Sequence, residues 1–224
     1  MTDRFARFIE AIKPHPTIPI TPWRAKSRWD ISLVRTIILL AGLFIFGLGD
    51  SLLIVSHLGN APWSVLAQGI AGKLDLSVGV STLLISTLVL ALWLPLRERP
   101  GLGTLANIVT IAFAIDVGIA LFPEQKSFVA RFMYVLVGIA LVGIGSALYI
   151  TCGLGPGPRD GLMTAIHHRT GVPVGRVRGA IEIVVLLLGW ALGGRLGVGT
   201  ALFALLIGYS VALSFGVVSR ITRR

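Results

Sequence analysis

Gly153-Leu154-Gly155-Pro156-Gly157-Pro158-Arg159-Asp160-Gly161 interrupts a long apolar run and sets two opposite charges directly behind the interruption. Glycine and proline at this density stop a helix, and Pro158 is suited to open the next one, because its missing N–H is no loss in a first helical turn. A weaker version lies 96 residues earlier: His57-Leu58-Gly59-Asn60-Ala61-Pro62-Trp63-Ser64 aligns with Gly153 to Asp160 without a gap. Over residues 47–70 against 143–166, nine of 24 positions are identical, among them Gly47, Gly49, Leu58, Gly59 and Pro62. Roughly two identities are expected by chance at this composition, so the spacing predicts two tandem repeats. The same offset pairs Val78-Gly79 with Val174-Gly175, and Gly101-Leu102-Gly103-Thr104 with Gly197-Val198-Gly199-Thr200.

Composition sets the solvent. The chain has 224 residues, 54% hydrophobic and 13% charged, with a mean hydropathy of +0.86. A soluble domain carries about 25% charged residues, so this reads as an integral membrane protein. The net charge of +10 does not point to nucleic acid. Seven of the 20 basic residues precede Ile37 and three close the chain, so they flank apolar runs as topology-setting charge does. The single cysteine, Cys152, aligns with Ser56 among glycines and reads as a small packing residue.

Residues 2–13 place Phe5, Phe8, Ile9 and Ile12 at helical spacing, which predicts an amphipathic helix lying on a membrane, with a disordered tail as the alternative. Pro14, Pro16, Pro19 and Pro22 then predict an extended linker, and Trp23 and Trp29 among cations a headgroup boundary. The first apolar run, from about Ile31, is too long for a cleavable leader. Residues 1–30 therefore form an N-terminal extension, and 31–220 a single membrane domain of two repeats, about 31–127 and 128–220.

Apolar runs at about 31–56, 78–95, 102–122, 128–152, 178–193 and 199–218 predict six long transmembrane helices in an all-α polytopic protein. Pro62–Leu74 and Pro158–Thr170 are shorter. Thirteen residues of helix span about 20 Å, short of a hydrocarbon core of about 30 Å, so both read as half-helices or re-entrant helices. Their broken backbone must be buried in protein or line a cavity. If they re-enter, the repeats are inverted; if they cross, the repeats are parallel. Basic residues divide 16 to four between the two sides under either topology, with both termini cytoplasmic. Helix length favours inversion.

Asp50, Asp116 and Glu182 fall in or near the apolar runs, where an ionised carboxylate costs on the order of 3 kcal/mol unless paired or wet. Their repeat partners are Ser146, Ala212 and Ser86, so each charge occurs in one half only, and all three are candidate ion-coupling residues. The structural alternatives are an i,i+4 pair of Glu182 with Arg178, and a backbone contact for Asp50. Pro158, Arg159 and Asp160, with Gly155 and Gly157 shaping the approach, are candidate substrate-binding residues: a helix N-terminus and a guanidinium both favour an anion. Against this stand a capping role for Asp160 and a lipid-headgroup contact for Arg159. Pro62 and Trp63 are the uncharged counterparts, with Trp63 expected to pack on the other half. His167 and His168 point about 100° apart on a helix and lack a third ligand, so no metal or other cofactor is expected. Gly138, Gly143 and Gly145 read as close helix packing.

The stretches Gly47 to Asp50, Leu58 to Trp63, Arg97 to Thr104 and Gly153 to Met163 together resemble the YczE-like bacterial membrane proteins, related to the YitT group, over about residues 35–218. The resemblance implies a bacterial inner-membrane location. For function, the residues favour a transporter or permease for a small polar or anionic solute. The alternative is an accessory protein acting on a partner through its basic extension and loops. Beyond the lipid bilayer, a small solute, a second copy of the chain or a protein are the partners considered, and nucleic acid is not. No nucleophile, base and orienter set suggests an enzyme; the enzymatic alternative is an intramembrane hydrolase using Asp50 and Asp116.

Overall fold

The structure, a computed structural model, describes residues 17–222; the amphipathic segment expected at 2–13 lies outside them, as do Pro14 and Pro16. Every element among the described residues is helical. In chain order they are α1 Leu33–Ser56, α2 Pro62–Leu74, α3 Val78–Ala91, a four-residue α4 Trp93–Leu96, α5 Leu102–Leu121, α6 Phe128–Thr151, α7 Pro158–Thr170, α8 Val174–Ala191 and α9 Val198–Thr222. Three starts in the first half, Pro62, Val78 and Leu102, stand 96 residues before Pro158, Val174 and Val198.

Among the described residues, five helical stretches are long and apolar enough to cross a membrane: 33–56, 78–96, 102–121, 128–151 and 198–222. The sixth run expected from sequence is part of α8, which begins at Val174 and so takes in Arg176, Arg178 and Glu182 along its 18 residues. That charge separates it from the other five. Exposed Leu88, Val109, Phe113, Leu187 and Leu205 give the bundle an apolar exterior, the surface a lipid solvent accepts.

At the centre, α1 and α6 run antiparallel at backbone contact. A Cβ added at Gly145 would stand 2.5 Å from the Gly42 carbonyl oxygen, and one at Gly138 would stand 2.7 Å from that of Gly49. Any side chain there would separate the two helices, as expected of small residues at a membrane helix crossing. Against this pair, α5 lies parallel to α1, with Gly47 at Ile111 to Ile115 and Gly118 at Ser51, while α9 lies parallel to α6, with Ser210 at Gly143 and Phe215 beside Ala147.

The short helices dock on the opposite half. Trp93 beside α3 meets α7, and Gly189 of α8 meets α2. The loops ahead of them dock the same way: Leu154 accepts the Gly103 N–H at 2.9 Å and Leu58 accepts the Gly199 N–H at 2.8 Å. Gly59 and Gly155, at φ +109° and +111°, supply the left-handed turns these loops need.

The linker expected through Pro19 and Pro22 is instead a strap across one end of the bundle. Thr21 donates to the Thr151 carbonyl at 3.1 Å, the Trp23 indole N–H to the Thr151 hydroxyl at 3.2 Å, and the Ala25 N–H to the Cys152 carbonyl at 2.8 Å. Arg35 at the foot of α1 donates back to the Trp23 carbonyl at 2.6 Å and pairs with Asp30 at 3.1 Å. The Lys26 N–H, with Arg35, holds the Asp30 carboxyl below the usual carboxylate range. The carbonyls at the C-terminal end of α6 thus find partners in the strap, which docks the segment expected as an extended linker onto the bundle.

Candidate functional site

The first turns of α2 and α7 approach each other at the centre, where a cavity of ≈ 190 Å³ opens between the halves. Its wall is built largely of residues 96 apart in sequence: Asp50 with Ser146, Trp63 with Arg159, and Ser86 with Glu182 are three such pairs. Each half therefore contributes the same positions with different chemistry.

Asp50, on the last third of α1, is 2% exposed. Its Oδ2 accepts the Ser64 hydroxyl at 2.9 Å and its Oδ1 has no hydrogen-bond partner. Ser64 follows Trp63, and the Arg159 guanidinium carbon lies 4.9 Å from the Trp63 ring centroid, a cation–π contact between the halves. Asp160 does not cap its own helix; its Oδ2 accepts the Tyr149 hydroxyl at 3.1 Å. Glu182 accepts from Arg178 Nε at 2.8 Å, so the i,i+4 pair forms and both members still line the cavity. Asn107 of α5 adds a neutral donor and acceptor to the wall.

Of the residues singled out from sequence, Asp50, Pro62, Trp63, Gly157, Pro158, Arg159, Asp160 and Glu182 line this cavity. Asp116 and Gly155 do not. Asp116 accepts the Ser77 hydroxyl at 2.5 Å and the Gly79 N–H at 2.7 Å, so it caps the start of α3 from a neighbouring helix. Asp50 lines the cavity and Asp116 does not. A Cβ on Gly155 would stand 3.0 Å from the Thr104 hydroxyl, and that hydroxyl donates to the Pro156 carbonyl at 2.8 Å; this glycine fits the loop onto α5. Sequence reasoning passed over Tyr149, Ser64 and Asn107. A tyrosine and an asparagine inside apolar runs were the available signal, since a buried hydroxyl or amide needs a partner.

A second cavity, of ≈ 400 Å³, lies under the strap and is lined by Ile18, Arg24, Arg28 and Gly153 among others. Tyr149, Ile150 and Asp160 line both cavities, so the Tyr149–Asp160 hydrogen bond stands between them. His167 bonds the Val172 carbonyl at 2.7 Å, and no cluster of three metal-ligating side chains is present among the described residues.

Residues 33–215 match a family described as a family of unknown function (DUF6198). An uncharacterized protein of Haemophilus influenzae is 44% identical over 204 residues, 91% of this chain and 94% of its own length. The uncharacterized membrane protein YczE of Bacillus subtilis is 35% identical over 176 residues, covering 78% of this chain and 82% of its own, and YyaS of the same organism is 28% identical over 183 residues, covering 80% and 91%. No solved structure matches.

Proposed function

The chain belongs to that family, DUF6198, and we propose that this integral membrane protein is permease-like, moving a small polar or anionic solute through the central cavity. One observation carries the reading: the cavity is walled by equivalent residues of both halves at the first turns of two short helices, and it shares Tyr149, Ile150 and Asp160 with a second cavity at one end. A site shared by two halves can be exposed to either side by moving one half against the other. Tyr149 and Asp160 are the contact that must part for passage toward the strap end.

The reading includes a topology. The antiparallel crossing of α1 and α6, and the 96-residue spacing of helix starts, support inverted repeats with α2 and α7 re-entering from opposite faces. Six helices then cross, α8 among them, with its charged first half at the strap end. The basic residues assign that end to the cytoplasm. Cysteines introduced at Asp75 and Glu98, in a chain with Cys152 replaced by serine, test this: position 75 is expected to label from outside intact cells and position 98 only after permeabilisation. The reverse pattern discards inversion.

Transport is tested by comparing metabolites of cells with and without the protein, then measuring flux in proteoliposomes of the solutes that change. Arg159→Ala and Asp160→Asn are expected to lower flux at least tenfold with expression unchanged, whereas Asp116→Asn, outside the cavity, is expected to spare it. Folded protein that moves none of these solutes removes the permease reading. A phenotype lost on deleting residues 1–22, yet kept in Arg159→Ala, would assign the protein an accessory role.

A further inference from the structure

Two charges of opposite sign face the central cavity without meeting. Asp50 is 2% exposed and its Oδ1 has no hydrogen-bond partner. Arg159, which lines the same cavity, rests on the Trp63 face and makes no hydrogen bond or ion pair with any described residue. Opposite charges in a low-dielectric interior attract strongly, and a bare carboxylate there is costly unless something satisfies it. Here α2 keeps them apart. Ser64 holds Asp50 by one oxygen and the adjacent Trp63 holds Arg159 by its ring, so consecutive residues of one helical turn tether both charges.

The other ionisable groups of the wall are engaged. Asp160 accepts from Tyr149, and Glu182 accepts from Arg178. What sets Asp50 and Arg159 apart is a buried carboxylate oxygen with no partner and a guanidinium with no hydrogen bond, both on a space of ≈ 190 Å³, the volume of about six waters. A simple anion would satisfy Arg159 and leave Asp50 bare beside a like charge. A simple cation would do the converse. A solute carrying both charges answers both groups at once, and Phe46, Ile111 and Val142 in the same wall offer apolar surface to a short carbon skeleton.

We propose that this cavity binds a small zwitterion of the amino-acid type, its ammonium on Asp50 Oδ1 and its carboxylate on the Arg159 guanidinium. The assignment rests on reading the cavity as a solute site and narrows the solute to molecules that hold an amine and a carboxylate together.

Binding is tested apart from transport, on the purified full chain, by the shift in melting temperature with ligand concentration. L-Alanine, propionate and ethylamine form one probe set, differing by loss of the amine or the carboxylate; glycine, L-serine, L-leucine and betaine extend the zwitterion arm. At least one zwitterion is expected to bind at least tenfold more tightly than its deaminated and decarboxylated analogues. Asp50→Asn keeps an acceptor for Ser64 and is expected to weaken the zwitterion at least tenfold while sparing propionate. Arg159→Gln is expected to weaken it equally while sparing ethylamine.

Propionate binding as tightly as alanine, unchanged by Asp50→Asn, would make this a plain anion site and overturn the proposal. Ethylamine binding equally well would make it a cation site, and no stabilisation by any zwitterion would equally reject it. The three-probe comparison on the unaltered protein decides the matter even where a variant does not fold. Stabilisation by a zwitterion without flux would keep this site and remove the permease; flux of an anion without such stabilisation would keep the permease and remove the zwitterion.

Discussion

The contact of α7 with Trp93 of α4 and the contact of α2 with α8 use equivalent positions, yet one is filled by a side chain and the other by backbone. In the first, the Trp93 indole lies on Gly161, where an added Cβ would stand 1.9 Å from the ring, and its N–H donates to the Pro158 carbonyl at 3.0 Å. In the second, the residues 96 away are Gly189 and Val65: the gap now lies on the long helix, and the α2 backbone at Val65 and Leu66 fills it. A Cβ on Gly189 would stand 2.5 Å from the Leu66 nitrogen. Close packing needs each gap matched by what lies against it, a large side chain in the first contact and a neighbouring backbone in the second. Positions 96 apart thus carry different side chains while the helix starts keep the same spacing. The cavity likewise carries different side chains at equivalent positions, with Trp63 and Ser86 on one side answered by Arg159 and Glu182 on the other.

The largest effect is expected from emptying the first contact. Trp93 is 1% exposed, and Trp93→Gly should cost about 3–5 kcal/mol, read as a lowered melting temperature in detergent. Gly161→Val against the intact indole should cost about 1–3 kcal/mol through overpacking. The double variant carries the residue types found at Gly189 and Val65, leaves the space at position 161 free of the indole, and should lose less than the sum of the singles by at least about 1 kcal/mol. Strict additivity would break the comparison.

A smaller and more local effect separates the starts of α3 and α8. The first is capped by Ser77, which accepts the Val80 N–H at 3.0 Å, and by Asp116; the second begins after Pro173, with Ala212 where Asp116 would be. Asp116→Ala should cost about 1–3 kcal/mol and raise amide exchange at Gly79 and Val80, leaving exchange at 174–177 unchanged. An unaltered melting temperature and exchange pattern would mean the carboxylate contributes nothing that the second half lacks.

Much of this protein could be read from local chemistry. Apolar run length shows which segments seek lipid, and a proline after a glycine break shows where α2 and α7 begin; both helices run over the spans expected, Pro62–Leu74 and Pro158–Thr170. The glycines of α6 announced a close crossing, and the 96-residue offset paired positions that turned out to share a cavity wall. These features depend on a residue and its near neighbours, or on a pattern of residues that recurs at a fixed offset along the chain. The tertiary structure alone decided which carboxylate faces the cavity. Asp50 and Asp116 are alike as residues in apolar helices, but the rotation of α1 against α6 turns Asp50 inward, while the packing of α5 on α3 sets Asp116 under a helix start. It also brought Tyr149 to Asp160 and laid the strap on the end of α6. Such contacts join residues far apart in the chain through the relative rotation of packed helices, a quantity no local pattern of residues encodes.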